Sequence, residues 1–424
     1  MDDNNNNNIN FKEFIYNLVN DFYSTYILKS SKPQQNQWTL ISSLILENNN
    51  KYKIICFSNG TKSLPNVNYK SRKFQIFDCH TEILTLRCFK FFLLNTLIYH
   101  LDKLNSKNLL TKDEYDLFKA NDEYHDIFDY NEKNHKFKIK NGVKFHLYIS
   151  ENPCGECSNI EYNNKTGSKT LEEILNILDK NNILNNKKEN NNGYKFRTKS
   201  IRSDFKINNL SYSLSCTDKI MIRNILGYQG KYLSFIFEPI FVNSLIINNT
   251  LNSTNENINI FKNCIDYNYR CINKKRNIIP EIYFVNHKED LNILKENRND
   301  KNSLPFSTYW YFPDNIKKVD PSNGIKTGGN IKDDDKIDFL RVKISNYDLC
   351  EKIFNLLINY KYIFEKEIQI IEKNIIKNEE KLDFSELLLP LIDKDYIKIK
   401  KDIFEENNDV KNFIGKKRKI LKFE

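Results

Sequence analysis

The stretch TEILTLRCFKFFLLNTLIYHLDKL, residues 81–104, constrains the fold more than any other part of this chain. It reads as a long helix whose apolar residues run around most of its circumference rather than along one stripe. A helix of that kind has no face for water and must lie in the middle of the molecule. The flanking sequence offers the cover it needs. WTLISSLIL (38–46) and YKIICFS (52–58) read as strands joined by the polar turn ENNNK, and VKFHLYIS (143–150) and PIFVNSLII (239–247) read as two more. Helical periodicity appears over 10–28, in SCTDKIMIRNIL (215–226) after a turn, and late in NYDLCEKIFNLLINY (346–360) and KDYIKIKKDIFEE (394–406). Strands alternating with helices predict α/β layers.

The chain has 424 residues, 40% of them hydrophobic and 13% aromatic, enough for a substantial core. Polar low-complexity runs interrupt it at Asn4–Asn8, near 163–193 and near 248–259, and read as surface insertions that do not divide it into domains. The nine cysteines are scattered and show no disulfide framework, the N-terminus is acidic and polar, and no apolar run approaches the length of a membrane span. These features predict a soluble protein of a reducing compartment, cytosol or nucleus, with no membrane partner. The formal net charge of +10 suits a polyanionic partner such as nucleic acid. An AT-rich coding bias that also lifts Asn, Ile, Phe and Tyr would enrich lysine, so the charge is only supporting evidence.

Chemistry gathers at two short stretches. DCHTE (78–82) sets His80 and Glu82 in a His-x-Glu pattern at the start of the long helix. PCGEC (153–157) follows a strand directly, with sulfurs at Cys154 and Cys157. His-x-Glu followed in order by Pro-Cys-x-x-Cys is the signature of the zinc nucleobase deaminases. Zinc takes neutral imidazole and thiolate ligands, and three protein ligands leave a fourth position for water, whose pKa falls to about 7. A carboxylate that does not bind the metal, here Glu82, then moves protons. A helix N-terminus favours the anionic form of a cysteine placed there.

A further stretch, LSCTDKIMIRNILGYQGKYLSFIFEPIFVNSLII (214–247), joins GTK (60–62), DCHTE, PCGE and FRTKSIRSD (196–204). Together these motifs resemble the adenosine deaminase domain shared by double-stranded-RNA editing enzymes and tRNA adenosine deaminases. The resemblance is good over about 52–247 and fainter over 305–330 and 396–416. It implies one domain over 1–424 with a cytidine-deaminase-like layered α/β/α fold and a mixed central sheet, extended by C-terminal helices around an inositol phosphate site. It also implies zinc ligands His80, Cys154 and Cys216, with Glu82 as proton shuttle and Thr61 and Lys62 near the target nucleotide. Three ligands and a water fill a catalytic zinc, so Cys157 becomes a small buried residue and Cys216 the better second sulfur.

The same resemblance implies a buried 1D-myo-inositol hexakisphosphate, with Arg87, Lys219, Lys326, Tyr396, Lys400 and Lys416 at matching positions. Asp78, Lys199, Lys219 and Gln229 match a polar relay between that cofactor and the zinc. Leu86 and Ile222 stand where the family has arginines, Arg223 and Phe413 where it has tryptophans, so an altered contact set is expected. GKKRK (415–419), which contains Lys416, also reads as a nuclear-import patch. RTKSIRSD resembles the tRNA form of its motif, without that form's proline and glycines. The implied reaction is deamination of adenosine to inosine at position 37 of a tRNA, with the anticodon stem-loop as partner. Lys62, Lys199 and Arg202 are candidates to steer its phosphates. The rivals are a zinc deaminase of free cytidine or deoxycytidylate using both sulfurs of Pro-Cys-x-x-Cys, a double-stranded-RNA editing enzyme, and an inactive RNA-binding subunit.

Overall fold

The computed structural model describes residues 3–64, 74–105, 109–159, 169–170, 197–200, 210–248, 279–287, 302–328, 340–377 and 382–405. From the N-terminus the elements that build the site are α1 (Asp3–Tyr26), β1 (Ile41–Asn48), β2 (Lys51–Asn59), β3 (Thr61–Ser63), β4 (Asp78–His80), α2 (Thr81–Asn105), β5 (Lys144–Ile149), β6 (Arg197–Ser200), β7 (Leu210–Leu214) and α3 (Cys216–Leu226). They are followed by β8 (Ser244–Asn248), β9 (Glu281–Val285), β10 (Ser307–Tyr311), β11 (Lys317–Asp320), β12 (Ile325–Lys326), α4 (Asn346–Asn359), α5 (Glu365–Lys377) and α6 (Lys394–Glu405).

Eight strands form one mixed sheet in the order β9-β8-β5-β1-β2-β10-β11-β12. β9, β8 and β5 run parallel to one another, with Ser244 opposite His146, and every other pairing is antiparallel. Side chains on a strand alternate between faces, and here the alternation sorts two cores. Leu44, Leu46, Phe145, Leu147, Leu245 and Ile247 pack on the α2 side. Ile41, Ile45, Tyr148 and Ile246 pack on the other side, against Ile15, Val19 and Tyr23 of α1. A register shift between Leu44 and Ile45 leaves Ile55 of β2 without an opposite residue, and Leu44 and Ile45 are both buried because both faces of the sheet are covered. The result is the layered α/β arrangement that the strand–helix alternation predicts.

The all-round apolar surface of α2 is covered as its composition demands. The sheet lies on one side, and α3 and α4 lie against it elsewhere. Its last turns are tied to α4 by Asp102, which accepts hydrogen bonds from Leu109 N (3.1 Å), Leu110 N (3.2 Å) and the buried Tyr360 hydroxyl. Its first turn is tied to the sheet by hydroxyls. Thr81 Oγ1 donates to Ser58 O at 2.7 Å, Ser58 Oγ donates to Thr81 O at 2.6 Å, and Thr85 Oγ1 donates to Ser42 O at 3.2 Å. This ladder fixes the height of α2 on the sheet, and with it His80 and Glu82.

Three segments differ from the sequence reading. The strand expected over 239–247 begins only at Ser244, because Ile240 is already engaged. Its carbonyl accepts from Tyr228 N (2.7 Å), and its N–H donates to Gln229 Oε1 (3.0 Å). The Asn4–Asn8 run is helical, as the first turns of α1. Strands β10–β12 and helix α5 carried no clear sequence signal, yet they extend the sheet and the outer layer. The low-complexity stretches near 163–193 and 248–259 lie almost entirely outside the described residues.

Leu44 is fully buried between sheet and α2. Leu44→Ala is expected to lower the unfolding free energy by about 2–5 kcal/mol, seen in urea titration as an earlier midpoint with an unchanged slope.

Candidate active site

Three chain ends bring the site together. β4 ends at His80, and α2 starts at the next residue, which places Glu82 in its first turn, buried. β5 runs out at Ile149, and the turn that follows carries Cys154. α3 begins at Cys216 itself, with Ser215 as N-cap: its side chain accepts from Asp218 N at 3.2 Å and donates to Asp218 Oδ2 at 2.6 Å. The Cys154 turn is stitched onto this helix start by Thr217, whose N–H and hydroxyl both reach Cys154 O at 3.0 Å. Gly155 makes the close approach possible. Its φ is +116°, and a Cβ there would lie 2.3 Å from Ser215 Oγ.

The ligand atoms of His80, Cys154 and Cys216 all lie within 4.8 Å of one another. Nδ1 of His80 is 3.7 Å from Cys154 Sγ and 3.6 Å from Cys216 Sγ. Tetrahedral zinc with ordinary Zn–N and Zn–S bond lengths requires an N···S separation of about 3.6 Å, so the three residues fit the ion. Cys157 is buried on the short helix Glu156–Asn159 and does not belong to this group. Glu82 Oε2 lies 3.4 Å from Cys216 Sγ, beside the cluster.

The charges are arranged to favour thiolates. Cys216 N, at the positive end of α3, points at Cys154 Sγ at 3.4 Å. Lys199 of β6 donates to Cys216 Sγ at 3.0 Å and to Asp78 Oδ1 at 2.7 Å. A hydrogen bond from the Cys216 thiol pulls the Cys154 thiol well below its ordinary pKa, while burial pushes Cys216 up. A dication held between them would remove that asymmetry and keep both as thiolates. Burial alone would raise Asp78, but Lys199 and Lys219 outweigh it and keep the carboxylate far below its usual range. Burial, reinforced by Cys154, raises Glu82 despite the opposing charge of His80. That direction favours the protonated form, as a carboxyl that must hand a proton on requires.

The remaining candidates fall into three groups. Asp78 gathers Lys199, Lys219 and Ser213, the last at 3.2 Å. Gln229 does not join them. Its amide donates to Leu226 O and its oxygen accepts from Ile240 N, so it closes the end of α3 instead. Thr61 stands opposite His80 across the β3–β4 pair, its buried hydroxyl without a partner among the described residues, and Lys62 is exposed.

Arg87 of α2 and Tyr396 and Lys400 of α6 lie close to Arg223 of α3, where sequence reading had noted Arg223 only as a departure. Lys90 and Lys231 join this group and were missed, although Lys90 follows Arg87 by three residues and so shares its helix face. Lys326 is exposed on β12, while Arg202, Phe413, Lys416 and the GKKRK patch lie outside the described residues.

Comparison with known proteins places these features. The family described as the adenosine-deaminase (editase) domain matches residues 56–373. The chain is 26% identical over 373 residues to the tRNA-specific adenosine deaminase 1 of Schizosaccharomyces pombe, covering 81% of this chain and 86% of that protein. It is 27% identical over 241 residues to the Saccharomyces cerevisiae protein of the same name, covering 52% and 54%. It is 28% identical over 204 residues to double-stranded RNA-specific editase B2 of Mus musculus, covering 46% of this chain but only 24% of the mouse protein. Among the described residues no helix is long and apolar enough to cross a membrane.

Metal analysis of purified variants tests the ligand set. Cys216→Ala is expected to lose zinc and Cys157→Ala to keep one equivalent. The reverse pattern would shift the second sulfur to Cys157.

Proposed function

The chain belongs to the adenosine-deaminase (editase) domain family, and from that premise we propose that it hydrolyses adenosine to inosine in tRNA, at position 37 beside the anticodon. The observation that carries the chemistry is the convergence of one imidazole and two thiols at zinc-like spacing, with the buried carboxyl of Glu82 against them. The tRNA reading draws on the Schizosaccharomyces pombe relative, matched over most of both lengths. The match to the mouse editase covers about a quarter of that protein, and the match to the Drosophila melanogaster editase Adar covers 72% of this chain but 42% of that protein.

His80, Cys154 and Cys216 would hold the zinc, which would supply a Lewis acid to activate water. Glu82 takes a proton from that water as its oxygen adds to C6 of adenine. It returns the proton to N1, then assists the amine to leave as ammonia, so that adenosine and water give inosine and ammonia. Lys199 holds Cys216 and Asp78 together and keeps the ligand set in place. The base reaches Glu82 only when it is out of its stack, a state cheaper in an anticodon loop than in a duplex. Thr61, across from His80, and exposed Lys62 are the residues we assign to the neighbourhood of the target nucleotide, as the resemblance implies.

The second cofactor we propose is inositol hexakisphosphate. Arg87, Lys90, Arg223, Lys231 and Lys400 are all depressed in pKa, first of all by burial. Lys90 is further depressed by Arg223 and Arg87, and Lys400 by Lys231 and Arg223. Half-buried like charges crowded together in this way are costly without a counter-anion, and a polyphosphate is an anion of matching charge.

Incubation of the purified chain with tRNA transcripts, followed by nucleoside mass spectrometry, is expected to show inosine at position 37 and no uridine from free cytidine. Uridine from cytidine with no inosine in tRNA would overturn the reading, as would tight tRNA binding without inosine. Glu82→Ala is expected to keep zinc and lose inosine formation at least a hundredfold, about what general acid–base catalysis supplies. Metal loss in that variant would contradict the assigned role.

A further inference from the structure

α3 carries Cys216, Lys219 and Arg223 at positions i, i+3 and i+7, one stripe along the helix. The stripe starts at the metal ligands, passes through Lys219 on Asp78, and reaches Arg223 about 10 Å further on. Around Arg223 the described residues offer cations and no carboxylate. Gly230 marks where they meet. A Cβ there would lie 3.2 Å from Lys90 Cε and 3.3 Å from Arg223 Nη1, so α2 and α3 point their cations at one spot. Neither Lys90 nor Arg223 has an ion pair or side-chain hydrogen bond among the described residues, and Arg87 Nε is buried without a partner. Each keeps partial contact with solvent although burial is the first cause depressing its pKa.

The resemblance places arginines at Leu86 and Ile222 and a tryptophan at Arg223. Neighbouring helix residues differ in direction by about 100°, so moving the guanidinium from 222 to 223 changes the side from which it enters. We propose that Arg223, together with Lys90, forms a relocated phosphate clamp that replaces the guanidiniums missing at Leu86 and Ile222, so that this chain grips its polyphosphate from the Gly230 side. Gly230, with φ +72°, leaves the opening that both side chains need. Tyr396 and Lys400 face the clamp from α6, whose N-terminus is pinned by Asp393, bonded to Tyr396 N and paired with Lys136. The inference rests on the polyphosphate reading above and not on the identity of the RNA substrate.

The test uses full-length wild type, Arg223→Gln, Lys90→Gln and the conservative Arg223→Lys. Inositol phosphate is released with acid and counted per protein by mass spectrometry. Melting temperature is followed against added inositol hexakisphosphate, with inorganic phosphate as the control. Wild type is expected to carry about one equivalent. Arg223→Gln and Lys90→Gln are expected to bind about ten- to a hundredfold more weakly, the loss of one charge-assisted contact. They should melt lower and recover with added hexakisphosphate but not with inorganic phosphate. Arg223→Lys should fall between, and it keeps the test open if the glutamine variants do not fold. Wild-type stoichiometry and melting in every variant would overturn the clamp alone. A wild type that purifies without inositol phosphate would overturn the cofactor reading and the clamp with it, while leaving inosine formation in tRNA to stand or fall separately.

Discussion

The buried carboxylate of Asp78 is the interaction on which the rest of the site depends. It accepts from Lys199 and is paired with Lys219, and the backbone N–H of His80 reaches Asp78 Oδ1 at 3.1 Å. One side chain thereby fixes three segments distant in sequence: β4, which carries His80, β6, and the start of α3, which carries Cys216. Two lysines against one carboxylate leave a surplus positive charge, and Lys199 spends it on Cys216 Sγ. Ion pairs this deep add little stability in themselves, because desolvation consumes most of the attraction, but removing one partner is severe. Their contribution here is positional.

α3 converts that local knot into a longer arrangement. It begins at Cys216, passes through Lys219 on Asp78 and ends among half-buried cations, all along one stripe. The same logic holds for α2, which has Glu82 in its first turn and Arg87 and Lys90 in the turns that follow. A polyanion bound between these helices would brace the elements that aim His80, Glu82 and Cys216. The formal surplus of ten positive charges says little about partners in a chain so rich in lysine. A few of those cations, withdrawn from water and turned toward one another, say much more.

Sequence was most informative where chemistry is local. His80 and Glu82 sit within three residues, Cys154 sits beside the glycine its turn requires, and the run through 81–104 could only be a buried helix. Strands β1, β2 and β5 were legible because short, mostly apolar runs bounded by polar turns report strands buried on both faces. Features that depend on distant partners were not. The amide of Gln229 is committed to Leu226 and Ile240, which no motif reveals. Arg223 looked like the loss of a tryptophan, because a buried arginine and a surface arginine read alike until α2 is placed beside it. Strands β10–β12 are short, and they acquire their role from pairing, β10 with β2, β11 with β10 and β12 with β11.

The central claim is that one imidazole and two thiolates hold a single zinc with a position left open. Zinc-edge X-ray absorption of the purified protein tests it directly. The account predicts two sulfurs at about 2.3 Å and two lighter scatterers at about 2.0–2.1 Å, the imidazole and a water. Three sulfurs around the metal would place Cys157 in the ligand set, close the open position and contradict the account.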